Sequence, residues 1–408
     1  MTEIGQHVGP VELVLLGDFL ELQRMGPTGQ VNDRVTATLM RPDYAELFDA
    51  LRGFRSAAGH RVTYVVGNHD AELWWNVHLQ DVLRDAGLVD EFALSYAARF
   101  ESLHDQLIHG EHGNQFDPTN RFADYGDPLD TPIGAHVVDE IVRPIGSSTR
   151  LTGNLDLRDV SFVFPLAAIP EWIASRIFYR FLGEVLRWIA VLFVIANVAH
   201  LILIWIGSSD AQRTTRTILA EVAYDVGLLI LICAVVFVVG RRTARRASSL
   251  LALRLAGASS DSEPTRIRRA LLAEDPLPVG AGVAPRNIAV FVSAHTHAPS
   301  STQLRRDDET TTAVVNTGCW LRQLQPVPTR FGAPNVFVPM FVQTHVRVQR
   351  SHEGVVVELW DRPRPARRML LWIERAAIAG RTPKDVPSPT TSRLLDRQLI
   401  PGRMRAST

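Results

Sequence analysis

Four short clusters carry residue types that can hold a metal ion or move a proton: Gly17-Asp18-Phe19-Leu20-Glu21, Gly67-Asn68-His69-Asp70, His109-Gly110-Glu111-His112 and His295-Thr296-His297. Each follows an apolar run: Val11–Leu16, Val62–Val66, a segment ending at Ile108, and Asn287–Val292. Open α/β sheets place their sites at the C-terminal ends of strands. Carboxylate, amide oxygen and imidazole together suit a harder or borderline divalent ion such as Mn, Fe or Zn, not a thiolate-selected metal. Singly, each cluster has a plainer reading: Gly-Asp as a turn, Gly-Asn-His-Asp as a turn before a capped helix, His-x-His as packed or solvated rings. Their shared position at strand ends makes them candidates for one site.

The elements that must position these clusters follow from periodicity. Short apolar runs closed by glycine read as strands buried on both faces. Asp43 precedes Tyr44, Leu47, Phe48, Leu51 and Phe54 at helical spacing, with Gly59 as a stop. Leu79, Val82, Leu83 and Ala86 before Gly87 predict a second helix. This alternation implies an α/β sheet with crossovers, and Thr311–Val315, Val336–Val348 and Val355–Leu359 predict a β-rich C-terminal part. The polar run Asn114, Gln115, Asp117, Asn120 and Arg121 reads either as a substrate contact, with Arg121 a phosphate partner, or as a capped turn around Asp117-Pro118.

The 43 basic and 43 acidic residues cancel, so no global field argues for nucleic acid as a partner. Cys233 and Cys319 make neither a disulfide framework nor a Cys-x-x-Cys site, which fits a reducing compartment. No secretory signal is expected at the N-terminus.

Trp188–Ile206 contains no Asp, Glu, Lys or Arg and nearly reaches the roughly 20 residues that cross a bilayer, with Trp at both ends as interfacial anchors. Gly227–Val239 reaches that length only by starting near Thr217. Arg176, Arg180 and Arg187 precede the first span, and Arg241, Arg242, Arg245 and Arg246 follow the second. Positive-inside logic therefore puts both flanks in the cytoplasm. The expected organisation is a folded domain in two parts, 1–165 and 285–361. It is split by an inserted hairpin and connector over 166–284, with spans about 188–206 and 218–239, and followed by a basic tail over 362–408. Within the connector one helix is expected around Thr265–Ala273, and in the tail Met369–Ala379 reads either as a helix on anionic lipid or as a solvated one.

The ordered clusters resemble the calcineurin-like metallophosphoesterase family. Gly17-Asp18-Phe19-Leu20-Glu21 matches its Gly-Asp-x-x-Asp/Glu motif, Gly67–Asp70 its Gly-Asn-His-Asp/Glu, His109 its strand-end His, and Ala294-His295-Thr296-His297 its Gly-His-x-His, with Ala for Gly. Val315–Trp320 resembles the segment that follows. The resemblance covers roughly 10–120 and 285–360 and implies a four-layer α/β/β/α sandwich, here interrupted by the hairpin, holding two divalent metal ions. Residue by residue it implies that Asp18 bridges both ions, that Asn68, His109 and His295 bind one, and that His297 helps bind the other. It implies that His69 faces the leaving group, that Asp70 orients His69, and that Glu21 supports the Asp18 loop. The family's first motif, Asp-x-His, has no match in Met1–Val11, where His7 stands alone, so a segment carrying it is expected upstream. The implied activity is membrane-anchored, metal-dependent hydrolysis of a phosphodiester, phosphomonoester or pyrophosphate bond. The catalytic domain is then cytoplasmic, and lipid-linked substrates are among those expected, as in UDP-diacylglucosamine pyrophosphate hydrolases, to which the arrangement is similar. The alternative is a catalytically degenerate membrane scaffold of the same fold.

Overall fold

A computed structural model describes residues 9–20, 22, 31–103, 105–137, 157–163, 168–207, 211–255, 263–280, 282–306, 309–365, 370–381 and 392–401. His7, and Glu21, expected to support the Asp18 loop, lie outside the described residues. The described residues are mixed α/β, with three sheets and two long apolar helices.

The first sheet is parallel: β1 (Glu12–Leu16), β2 (Arg61–Val65) and β3 (Glu91–Ala93), with Leu13 opposite Val62 and Leu16 opposite Val65. Helices α1 (Val31–Leu39), α2 (Ala45–Arg55), α3 (Glu72–Trp75) and α4 (Val77–Asp85) connect these strands. The expected spacing on α2 buries Phe48, Leu51 and Phe54 along one stripe, each worth about 1.5–3 kcal/mol of apolar burial. Phe48 and Leu51 join Tyr64, Val66, Leu73, Leu79 and Leu83 in one core.

The second sheet has the order β4-β5-β6-β8-β7, from β4 (Ser95–Ala98), β5 (Leu107–Glu111), β6 (Ile288–Ser293), β7 (Ser300–Arg305) and β8 (Thr311–Asn316). β5 and β6 are parallel neighbours, Ile108 opposite Val290 and Gly110 opposite Val292, although the whole apolar insertion lies between them in sequence. The third sheet is antiparallel, ordered β12-β11-β10-β9, from β9 (Arg322–Val327), β10 (Val336–Ser351), β11 (Gly354–Pro365) and β12 (Arg393–Pro401). Ile108, Val290, Val292, Ala313 and Val315 of the second sheet pack against Val355, Val357, Leu359 and Ile400 of the third.

After the short α5 (Ile133–Val137), the insertion forms α6 (Ile169–Gly207) and α7 (Ala211–Leu255), which pack on each other. At 1.5 Å per residue they are roughly 60 and 70 Å long, about twice the hydrocarbon thickness of a bilayer. Their lower ends belong to the folded domain. Trp172 is enclosed by Val160, Val163, Leu324 and Phe337, and Phe178, Tyr179 and Leu182 pack with Ala244, Val336 and Ile373. Higher up, Trp188, Leu192, Ile195, Leu203 and Ile230 are exposed, and none of the most apolar window of either helix is buried. A core helix of a water-soluble domain would be covered there. Both helices are long and apolar enough to cross a membrane.

Two segments differ from the sequence reading. Ala247–Leu255, expected as connector, continues α7, because Ser, Leu, Ala and Arg are compatible with helix; α8 (Glu263–Ala273) follows as expected. The basic tail is not simply a tail. Its residues Trp372–Ala377 form α9, and Arg393–Pro401 form β12, paired so that Val355 faces Ile400. Along β12 only Gln398 and Ile400 are buried, so the alternation that betrays a strand is almost absent. Ile400→Ala is expected to cost about 2–5 kcal/mol in chemical unfolding of the detergent-solubilised chain, where a tail residue would cost nothing measurable.

Candidate functional site

The chain turns sharply after β1. Gly17 (φ 80°) and Asp18 (φ 56°) both occupy the left-handed region, which Asp tolerates better than most side chains. A Cβ on Gly17 would meet the His112 ring and lie 2.7 Å from the Gly67 Cα, and one on Gly67 would lie 2.8 Å from the Asp18 nitrogen. The two glycines thus let the loops after β1 and β2 touch backbone to backbone.

Asp70 clamps these loops together. It is fully buried; Oδ1 accepts from the Gly67 N–H (2.6 Å), and Oδ2 accepts from the Phe19 N–H (3.2 Å) and the Tyr64 hydroxyl. Burial, with the nearby Asp18 charge, pushes its carboxyl up to about 7. Asp18 Oδ1 accepts from the His69 N–H at 2.8 Å. Burial opposes its charge, yet His112 and His69 hold its carboxyl well below the usual range.

His112 closes the cluster. Its Nδ1 lies 2.6 Å from the Leu16 carbonyl oxygen, so Nδ1 carries a proton and donates. Its Nε2 then faces Asp18 Oδ2 at 3.1 Å and Asn68 Oδ1 at 3.2 Å. Burial opposes an imidazolium there, but Asp18 and the Leu16 carbonyl raise the ring to about 9. His112 in turn meets the His295 ring edge-on, centroids 5.3 Å apart. His295 Nε2 lies 3.2 Å from Asp117 Oδ2, and burial lowers its pKa. Asp117 also accepts from Thr119 and from Asn120 Nδ2 at 2.7 Å, and these bonds with the one to His295 outweigh burial and hold it below the usual carboxylate range. At the end of β8, Asn316 Nδ2 donates to the Ala294 carbonyl (2.7 Å) and Thr296 Oγ1 (2.9 Å), pinning the loop that carries His295.

The structure therefore brings together Asp18, Asn68, His69, Asp70 and His295, but not His109. β5 runs to Glu111, so His112, not His109, stands at its end. The twofold period of the strand puts Leu107, His109 and Glu111 on the face under α8, where Leu107 packs on Ile267 and Leu271. There His109 Nε2 contacts Glu111 Oε2 at 3.0 Å and its ring packs on Phe291. Asn114 is buried, its Nδ2 donating to the Asn120 carbonyl (2.9 Å) and its Oδ1 accepting from the Tyr125 hydroxyl (2.8 Å). Its amide is spent on the loop, and the capped-turn reading holds for it. Arg121 is exposed beside Asp117. His297 turns through φ 59°, is half-buried, and accepts Gln323 Nε2 on its carbonyl (3.1 Å).

The sequence reading named the cluster ending in His112 but gave the ligand role to His109, placed Asp117 only in a polar run, and gave Glu263 no role. Counting strand period from Leu107 would have turned His109 toward the helix and left His112-Gly113 as the turn. Glu263, in the first turn of α8, is buried against Gly113. Both its oxygens, Glu111 Oε1 and His109 Nδ1 lack a hydrogen-bond partner among the described residues. Burial, with the Asp117 and Glu111 charges against that of His112, pushes Glu263 up to about 8.

The convergence of His112 Nε2, Asp18 Oδ2 and Asn68 Oδ1 is a set of one nitrogen and two oxygens, each oxygen within hydrogen-bond distance of the nitrogen. That fits a single divalent ion of the Mn, Fe or Zn kind. Among the described residues no group of three His, Cys, Asp or Glu is arranged to hold a metal; the third member of this trio is an amide. No family model matches the chain, and no curated protein matches it.

Two expectations follow. His112→Ala should weaken Mn(II) binding by roughly 10-fold or more, read by calorimetry, while His109→Gln leaves it within a few-fold; the reverse order would restore the sequence reading. In chelator, stabilisation from the raised Glu263 is fully present below about 4.5, the ordinary value, and lost as pH rises through about 8. Glu263→Gln should flatten that decline in unfolding titrations, leaving the parts due to Asp70, lost between about 3.8 and 7, and to His112, lost between about 6.5 and 9.

Proposed function

We propose that this chain is a metal-dependent phosphoesterase of the calcineurin-like kind, held at a membrane by its two-helix hairpin. The observation that carries the reading is the convergence at three strand ends of His112 Nε2, Asp18 Oδ2 and Asn68 Oδ1, where a divalent ion would take the place of the Nε2 proton that the two oxygens accept. Stacking of α8 on the second sheet, and of the second sheet on the third, supports an α/β/β layering, three of the four layers of that sandwich. The arginines on both flanks of the hairpin support a cytoplasmic catalytic domain.

Asp18, Asn68 and His112 would hold one ion, with His295 beside them; the described residues offer no comparable second set. A divalent ion there supplies a water ionised near neutral pH and neutralises charge on phosphoryl oxygens. The chain's own groups do the rest. The Leu16 carbonyl fixes the His112 tautomer with Nε2 facing the site. Asp117 orients His295 in the same way. His69, whose backbone holds Asp18, is the proton donor to the leaving oxygen. Arg121, exposed on the same loop as Asp117, is the phosphate partner. The substrate class is a phosphodiester, phosphomonoester or pyrophosphate, lipid-linked forms included.

The single trio also favours a second reading, a degenerate scaffold that binds one ion without turnover. Hydrolysis of bis(4-nitrophenyl) phosphate by the full chain in detergent separates the two. The enzyme reading expects Mn-stimulated turnover that chelator abolishes and that Asp18→Ala and His69→Ala lower by about 100-fold or more. Mn(II) binding with no turnover on diester, monoester or pyrophosphate substrates would leave only the scaffold.

A further inference from the structure

The foot of the hairpin carries a feature that phosphoester chemistry does not use. Four segments distant in sequence meet there: residues 176–187 of α6, 240–249 of α7, the 328–333 turn, and α9 with its flanks, 370–381. Phe178 of α6 lies against Gly240 of α7, and Ile373 of α9 packs on Phe178 and Leu182. Arg245 donates to the Gly332 carbonyl at 3.1 Å, Arg241 lies against the same glycine, and Arg381 donates to the Thr329 carbonyl at 2.9 Å. One level of the molecule therefore holds all four.

These segments contain ten arginines against two carboxylates, Glu184 and Glu374. Glu374 is buried with Arg176, and Glu184 pairs with Arg187. Arg242, Arg245, Arg246, Arg330, Arg375 and Arg381 are all exposed, and a guanidinium has five donors, so the backbone contacts of Arg245 and Arg381, one and two carbonyls, leave most of their capacity unused. Beside them Leu371 and Trp372 are exposed by 40% and 58%, although Ile373 on the same short helix is buried. An exposed Trp among arginines, directly below a bare apolar arm, matches the chemistry of a bilayer surface: an indole for the headgroup region and guanidinium forks for phosphate.

We propose that this level is a collar that binds the anionic headgroups of a lipid bilayer, with Trp372 and Leu371 dipping into the interface. The proposal rests on the reading of α6 and α7 as membrane-spanning. It places the membrane surface at Leu182, Gly240 and Trp372, below Trp188, and makes α9 a second, reversible contact. Lipid charge then sets how firmly the catalytic domain is held against the membrane.

The test is hydrogen exchange of the full chain in vesicles of phosphatidylcholine alone and with about a third phosphatidylglycerol. With anionic lipid, exchange across 370–381 should slow roughly threefold or more, and about 1 M salt, where the screening length falls to about 3 Å, should reverse this. Arg242→Gln, Arg246→Gln and Arg375→Gln combined should lose most of the slowing. Equal exchange in both vesicles, or slowing that survives in the triple variant, overturns the collar. The spanning reading fails differently: the chain would leave the vesicles on alkaline washing, whatever segment 370–381 reports.

Discussion

The imidazole of His112 is the contact on which the site depends. One ring nitrogen is committed to the Leu16 carbonyl at the end of β1, and the other faces Asp18 and Asn68. A single side chain from β5 thereby joins the loops after β1 and β2, which Asp70 already clamps together. Three strand ends, two of them in one sheet and one in another, are fixed to one another inside a buried volume. There a donor facing two acceptors has either to be charged or to share them with a cation, and Asp18, held ionised, suits both states. Burial makes every alternative costly: an unpaired carboxylate or imidazole in such a place forfeits its hydration with nothing in return.

The same economy explains why the insertion is tolerated. β5 and β6 are neighbours in register, so whatever lies between them must leave the sheet and come back to it. Two helices that pack on each other do this, and α8 then closes over the second sheet with Ile267 and Leu271. The return also brings Glu263 against the turn that carries His112. The insertion is thus tied to the loop that carries His112 through a carboxyl group that the interior keeps largely protonated.

Much of this was legible in residue order. The strands before Gly17 and Gly67, the helix stripe of Phe48, Leu51 and Phe54, and the two apolar helices were all readable, because period and length carry those signals directly. Asp18 and Asn68 were readable as candidates because glycine marks the turns that present them. His109 was misplaced because an apolar run does not say where a strand ends, and a two-residue period then decides which of several histidines turns inward. β12 was missed for a related reason: with Gln398 and Ile400 alone buried, its place is set by pairing with β11 and not by its own pattern. Asp117 and Asn114 could not be separated by sequence, since both belong to one polar loop and only packing turned one toward His295 and the other inward.

The hairpin and the site are also coupled through β9, residue by residue. Arg322 pairs with Asp159, which also meets Arg176 of α6 at 3.8 Å. The next residue, Gln323, holds the His297 carbonyl. The one after that, Leu324, is part of the enclosure of Trp172. Successive side chains of a strand point to opposite faces, so this short stretch touches the foot of α6 on one side and the His295–His297 loop on the other. A tilt of α6 against the domain would be felt first at Leu324, and the same strand would carry it to His297, because close-packed interiors transmit displacement instead of absorbing it. The hairpin is in this respect part of the wall that shapes the site.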